Sequence, residues 1–248
     1  MAVFWALGGA GLGAVIGSFL ATAALRWPAG RSVADGRSRC DGCGRTLGPV
    51  DLIPIVGFLL RRGRCATCHA AIDRRHLLIE LAAAGIGAVA LAAAPGLTGL
   101  CGAGFGWLLL LLGALDIEHF WLPDRLTYPL ALGGIAAGSA GVPPWPNDRL
   151  IGLAAGFLSL FLIGLAYRLL RRREGLGGGD PKLFGAIGAW IGWAALPMVL
   201  LLAAAIGLAA VLGARLRGAA IDPTTRLPFG ALLATAAWPI WLVLFARG

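Results

Sequence analysis

Long apolar runs separated by short polar or glycine- and proline-bearing links fill the chain from one end to the other. The runs lie at 3–25, 77–94, 97–115, 126–142, 149–170, 183–195, 197–214 and 228–246. Crossing a hydrocarbon layer of about 30 Å takes a helix of about 20 apolar residues, so the pattern predicts an all-α bundle of about eight transmembrane helices. The stretch 183–214 admits two readings. As one helix its 32 residues would reach about 48 Å at about 1.5 Å per residue, and Pro197 lies inside it. Two short spans with a turn near Pro197 fit better. Only the segment between the first two runs breaks the pattern. The chain therefore divides into a first transmembrane helix at 1–25, a polar loop domain at 26–76 and a bundle at 77–248.

Composition agrees with a polytopic membrane protein: 58% of residues are hydrophobic and 13% charged. The start "MAVFW" has no basic flank and its apolar run is long enough to span, which predicts a retained anchor and not a cleaved signal peptide. Net charge is +9, and position explains it better than nucleic-acid binding does. With eight spans and the N-terminus outside, 19 of the 21 basic residues fall on cytoplasmic segments, Arg149 and Arg247 being the exceptions. A single span over 183–214 would send Arg215, Arg217 and Arg226 outward instead. The nine Trp residues suit interfacial belts.

Four of the five Cys residues stand as Cys40-x-x-Cys43 and Cys65-x-x-Cys68 in the polar loop. Two such pairs can hold one Zn²⁺ in a tetrahedral thiolate site, and four thiolates leave no position for a catalytic water, so the zinc would be structural. Two disulfides are the alternative, which a reducing cytoplasm disfavours. His69 reads as an exposed loop residue or an alternate ligand, and Cys101 as a small buried hydrophobe.

Carboxylates at the edge of apolar runs are costly in lipid and point to function. Glu80, Asp116, Glu118, Asp124 and Asp180 qualify. Asp116 closes "WLLLLLGALD", and Asp180 sits in "GLGGGDPK" beside a helix start at Pro181, whose positive end lies next to it. In the eight-span topology both lie near the cytoplasmic boundary, where a facing pair could share a proton and activate water against an amide. Each could equally cap a helix or sit in interfacial water. Asp124 and Glu118 read as helix caps or residues in interfacial water, Glu80 as a partner of Arg74, Arg75 or His76, and His119 as a surface residue.

Several motifs in order resemble the type IV prepilin peptidases, membrane aspartyl proteases of bacteria. They are "GSFL" at 17–20 with "RWPAGRS", the two Cys pairs around "DLIPIVGFLLRRGRC", "IEL" at Glu80, "LDIEHFWLPDRLTYP", "GGGDPKLFGAIGAWIG" and "LPFGALLATAA". The resemblance implies catalytic roles for Asp116 and Asp180, the latter in the motif Gly177-Gly178-Gly179-Asp180 followed by Lys182, and zinc on Cys40, Cys43, Cys65 and Cys68. It also implies prepilin or pseudopilin substrates cut at the cytoplasmic face of the inner membrane. Family members commonly add N-methylation from S-adenosylmethionine, for which no binding residues stand out here. Where the family commonly has asparagine after "GSFL", this chain has Ala21. Membrane lipid is an expected partner and nucleic acid is not. A presenilin-type protease would lack the cysteine loop. The non-enzymatic alternative is a small channel or transporter with membrane carboxylates and a zinc-stabilised gate.

Overall fold

The computed structural model describes residues 1–33, 38–173, 175–218 and 226–245. Arg37, Arg247 and residue 246, which enter the charge pattern and the eighth run above, lie outside the described residues. The described chain is helical: α1 (Ala2–Arg26), α2 (Val56–Leu60), α3 (Arg74–Ala93), α4 (Leu97–His119), α5 (Asp124–Ser139), α6 (Pro146–Arg171), α7 (Asp180–Ile191), α8 (Leu196–Leu216) and α9 (Phe229–Phe245). Among the described residues there is no strand beyond two isolated bridges. A helix occupies each of the eight apolar runs, and α1, α3, α4, α6 and α8 are long and apolar enough to cross a membrane. This is a multi-pass membrane protein.

The run 183–214 does break near Pro197, in the link 192–195 just before it. Gly192 (φ +77°) ends α7 in a conformation that L side chains resist, and α8 begins at Leu196 with Pro197 in its first turn. Proline costs nothing there, because that N–H has no partner inside the helix. At about 1.5 Å per residue α7 measures about 18 Å, short of a full crossing. Its residues from Asp180 to Ile191 are nearly all buried. It is an enclosed half-length helix and not a lipid-facing span.

The chain divides into two compact units, Met1–Ala103 and Gly104–Gly248. In the first, α1 packs on α3 through glycines one turn apart, Gly9, Gly13 and Gly17. A Cβ at Gly17 would lie 2.8 Å from both Ala83 Cβ and Glu80 Cα, so only glycine lets the helices approach this closely. Lipid supplies no hydrophobic drive between helices, and close backbone packing takes its place.

In the second unit α7 is surrounded by α5, α6, α8 and α9. Gly152 and Gly156 of α6 meet Gly188 and the Phe184–Gly185 backbone of α7 in the same small-residue manner. Phe105 of α4 stacks on Trp190 of α7 at 4.9 Å, and Trp190 Nε1 donates to the Leu130 carbonyl of α5 at 2.7 Å. Arg149, fully buried at the start of α6, donates to the carbonyls of Gly134, Val142, Pro143, Pro144 and Ala189. It thus joins α5, α6, α7 and the connecting loop at one end. At the other end Lys182 of α7 meets Asp124 of α5. Therefore α5 and α7 run parallel, and α6 runs against both.

Candidate active site and metal centre

The cysteine segment folds as two matching knuckles. The bridges Arg39–Thr46 and Arg64–Ala71 each bracket one Cys pair. Cys40 N donates to Arg45 O and Gly44 N to Cys40 O; Cys65 N donates to Ala70 O and His69 N to Cys65 O. Gly44 (φ +70°) and His69 (φ +57°) hold the same left-handed position after the second Cys of each pair. His69 is thus a backbone element of the knuckle, and the ligand cluster consists of the four thiols alone.

The four sulfurs lie within 4.8 Å of one another, and Cys40 Sγ is 3.8 Å from Cys68 Sγ. A disulfide needs about 2.05 Å, whereas two thiolates on a tetrahedral ion with bonds of about 2.3 Å stand about 3.8 Å apart. All five Cys are free, so the disulfide alternative is not realised, and the cluster fits a metal ion. Amides of Cys68 and Thr67 lower the Cys65 thiol to about 6. Cys68 is raised to about 11 by hydrogen bonds shared with Cys43, Cys65 and Cys40 and by burial, which outweigh the Ala70 amide. Cys101, half-buried in α4, is not part of the cluster.

Two carboxylates hold this segment together. Asp51 accepts from Arg61 at 2.7 Å, from Arg45 at 2.8 Å and from the Gly48 amide at 3.1 Å. Arg61 first, then the Gly48 amide and Arg45, keep it below the ordinary carboxylate range. Its contribution is therefore complete above the unfolded value of about 3.9 and lost as pH falls through the lower folded one. Glu80, buried in α3, acts through its charge on His76, one of its three expected partners, while its Oε2 accepts the Ile55 amide at 2.7 Å. Ile55 has φ +62°, a strained position for a β-branched residue, and this hydrogen bond anchors it.

The second unit brings Asp116 and Asp180 together. Both are buried, at 5% and 7% exposure, and close enough for their charges to interact. Asp116 lies in the last turn of α4, and its Oδ2 accepts the Ala231 amide at 2.8 Å in the first turn of α9. Asp180 is the first residue of α7, after the N-cap Gly179, and its Oδ2 turns back to accept the Gly177 amide at 3.0 Å. The sequence shows a helix start beside Asp180 only; the structure provides one for Asp116 as well.

Residues 12–94 match the Bacterial Peptidase A24 N-terminal domain, and residues 103–212 match the Type IV leader peptidase family. Proteins named Prepilin leader peptidase/N-methyltransferase are similar over most of this chain. That of Aeromonas hydrophila is 39% identical over 203 residues, covering 82% of this chain and 70% of the relative. That of Burkholderia pseudomallei (strain 1026b) is 40% identical over 213 residues, covering 84% and 67%. This chain belongs to the type IV leader peptidase family. A third such relative, from Pseudomonas aeruginosa, is 39% identical over 206 residues, covering 81% of this chain and 69% of its own length. No solved structure matches. Membership of a peptidase family displaces the channel or transporter reading, and the chain is a membrane peptidase of that family.

Around this peptidase's carboxylates the structure adds residues that the sequence does not single out. Gly230 and Ala231 come from "LPFGA", beyond the 103–212 match. A Cβ at Gly230 would sit 3.0 Å from Asp116 Oδ2. Leu122, in the link after α4, touches both Gly179 and Gly230. Asp124 does not cap α5; it binds Lys182 Nζ at 2.7 and 2.9 Å, with the ammonium 5.7 Å above the Tyr128 ring. That pair ties the first turn of α7, and so Asp180, to α5. Glu118 and His119 meet each other at 3.6 Å at the exposed end of α4, apart from these contacts.

Proposed function

We propose that the chain is the endopeptidase that removes leader peptides from type IV prepilins or pseudopilins, with Asp116 and Asp180 as its catalytic pair. One observation carries the assignment: in a leader-peptidase chain, buried carboxylates at the ends of α4 and α7 lie close enough for their charges to interact, with glycines beside both. One carboxylate, ionised, takes a proton from water as the water oxygen adds to the scissile carbonyl carbon. The other, protonated, donates to the carbonyl oxygen. Collapse of the tetrahedral intermediate breaks the C–N bond as the first carboxyl passes its proton to the departing amine, and the C=O re-forms as the hydroxyl returns its proton to the second carboxylate. Gly177 and Ala231 amides hold the two side chains in place for both steps. Gly178, where a Cβ would meet nothing within 4 Å, leaves room for the substrate backbone.

The cleavage site belongs at the cytoplasmic face of a bacterial inner membrane. Supporting this, Asp180 follows the basic link that holds Arg172 and Arg173, Asp116 lies at the end of α4 nearest Arg125, and the arginine-rich cysteine segment follows the positive-inside bias. Cys40, Cys43, Cys65 and Cys68 would hold one structural Zn²⁺, which supplies folding free energy to a segment too short to bury a core. The relatives' names add an N-methyltransferase activity, and the same assay reads it. Purified protein is incubated with a prepilin, with and without S-adenosylmethionine, and the product N-terminus is weighed. The family resemblance implies a cut after a glycine that ends the leader, so the expected product begins directly after that glycine. Intact prepilin, or cuts scattered elsewhere, would overturn the assignment.

A further inference from the structure

We propose that Leu122 is the positioning residue that sets the separation of Asp116 and Asp180. The proposal rests on the assignment of that pair as catalytic. Leu122 lies in the four-residue link 120–123 between α4 and α5, and both ends of the link are constrained. On one side Phe120 takes φ +49°, uncommon for an aromatic residue, with its amide bonded to the Asp116 carbonyl at 3.0 Å. On the other side Pro123 caps α5 and restricts Leu122 itself to extended backbone.

The side chain then fills a specific gap. A Cβ at Gly179, the residue before Asp180, would sit 2.7 Å from Leu122 Cβ. A Cβ at Gly230, the residue before the amide that binds Asp116, would sit 2.7 Å from Leu122 Cδ1. One isobutyl group thus stands against the turn that carries Asp180 and the turn whose amide holds the Asp116 carboxylate, occupying the space that two side chains would otherwise hold. It carries no polar atom, so it moves no proton and acts only through the positions of the carboxylates. Their coupling varies inversely with separation, and a water must fit between them and the substrate. Shortening Leu122 lets the two turns close.

The test compares wild type, Leu122→Ala and Leu122→Met in purified form on one prepilin, measuring kcat, KM and the pH–rate profile, beside Asp116→Asn and Asp180→Asn. Leu122→Ala should lower kcat at least about tenfold while KM changes little, as expected for misplaced reacting groups. The two limbs of its pH–rate profile should spread apart, because closer carboxylates couple more strongly. Leu122→Met should restore both. Should Leu122→Ala fail to fold, Leu122→Val, which draws the reach back while staying branched, takes its place with the same readouts. An unchanged kcat and profile, or a loss confined to KM, overturns the spacer role while leaving the pair intact if both Asn variants are inactive. Cleavage persisting in either Asn variant removes the pair itself.

Discussion

The three glycines before Asp180 do different work. Gly179 faces Leu122 Cβ, Gly177 faces the Asp180 carboxylate with a would-be Cβ at 3.0 Å from Oδ2, and Gly178 faces open space. Alanine at Gly179 should therefore reduce cleavage at least about tenfold, by displacing Asp180 or Leu122. Alanine at Gly177 should fall between that and wild type in kcat, and at Gly178 should leave kcat within about twofold of it, because its Cβ meets no protein atom and intrudes only on the space left to the substrate, raising KM. A cleavage assay on the three variants checks the order; equal losses would contradict it. Sequence alone exposes the glycine cluster and the aspartate, because a lone carboxylate at the edge of an apolar run is conspicuous. It does not separate the glycines, since what each one faces comes from a different place: residue 122 for Gly179, Asp180 itself for Gly177. Gly230 and Ala231 escape for the same reason, being over 110 residues from the Asp116 they serve.

At the scale of elements, the cysteine segment and the apolar helices were legible to different depths. Two Cys-x-x-Cys pairs state their own geometry, and the structure gathers them within 4.8 Å. The hydrogen bond from Ile55 to Glu80 was not legible, because a charged neighbour in sequence looks like the natural partner for a buried glutamate. The break in 183–214 is visible as excess length with a proline inside it, and it falls beside that proline: Gly192 ends one helix and Pro197 stands in the first turn of the next. The knuckles have only short backbone pairings and little buried apolar surface of their own, so the ion should hold the segment together. Stripping it with a chelator should release one zinc per chain by elemental analysis and open 38–72 to limited proteolysis. Helical circular dichroism should barely change, because the segment is short of helix. A chain that contains no zinc as purified, or resists proteolysis equally after chelation, would contradict the four-thiolate centre.

At the scale of the whole molecule, the second unit encloses a helix too short to cross the membrane. Glycine contacts with α6, the Phe105–Trp190 stack and the Arg149 carbonyl cluster surround α7. Arg149 reads in the sequence as a stray external charge; it is a fully buried staple, and the five carbonyls that accept its N–H groups explain how a guanidinium is accommodated there. The enclosure puts Asp180 on a rigid element and leaves Asp116 to reach it from the end of α4. The whole account therefore converges on those two side chains. The most direct measurement is cleavage of a prepilin by purified Asp116→Asn and Asp180→Asn, each confirmed to remain in the membrane and to melt as the parent does. The account predicts loss of more than about a hundredfold in kcat for each, in line with removal of a general acid or base. Cleavage near the parental rate in either variant would contradict it.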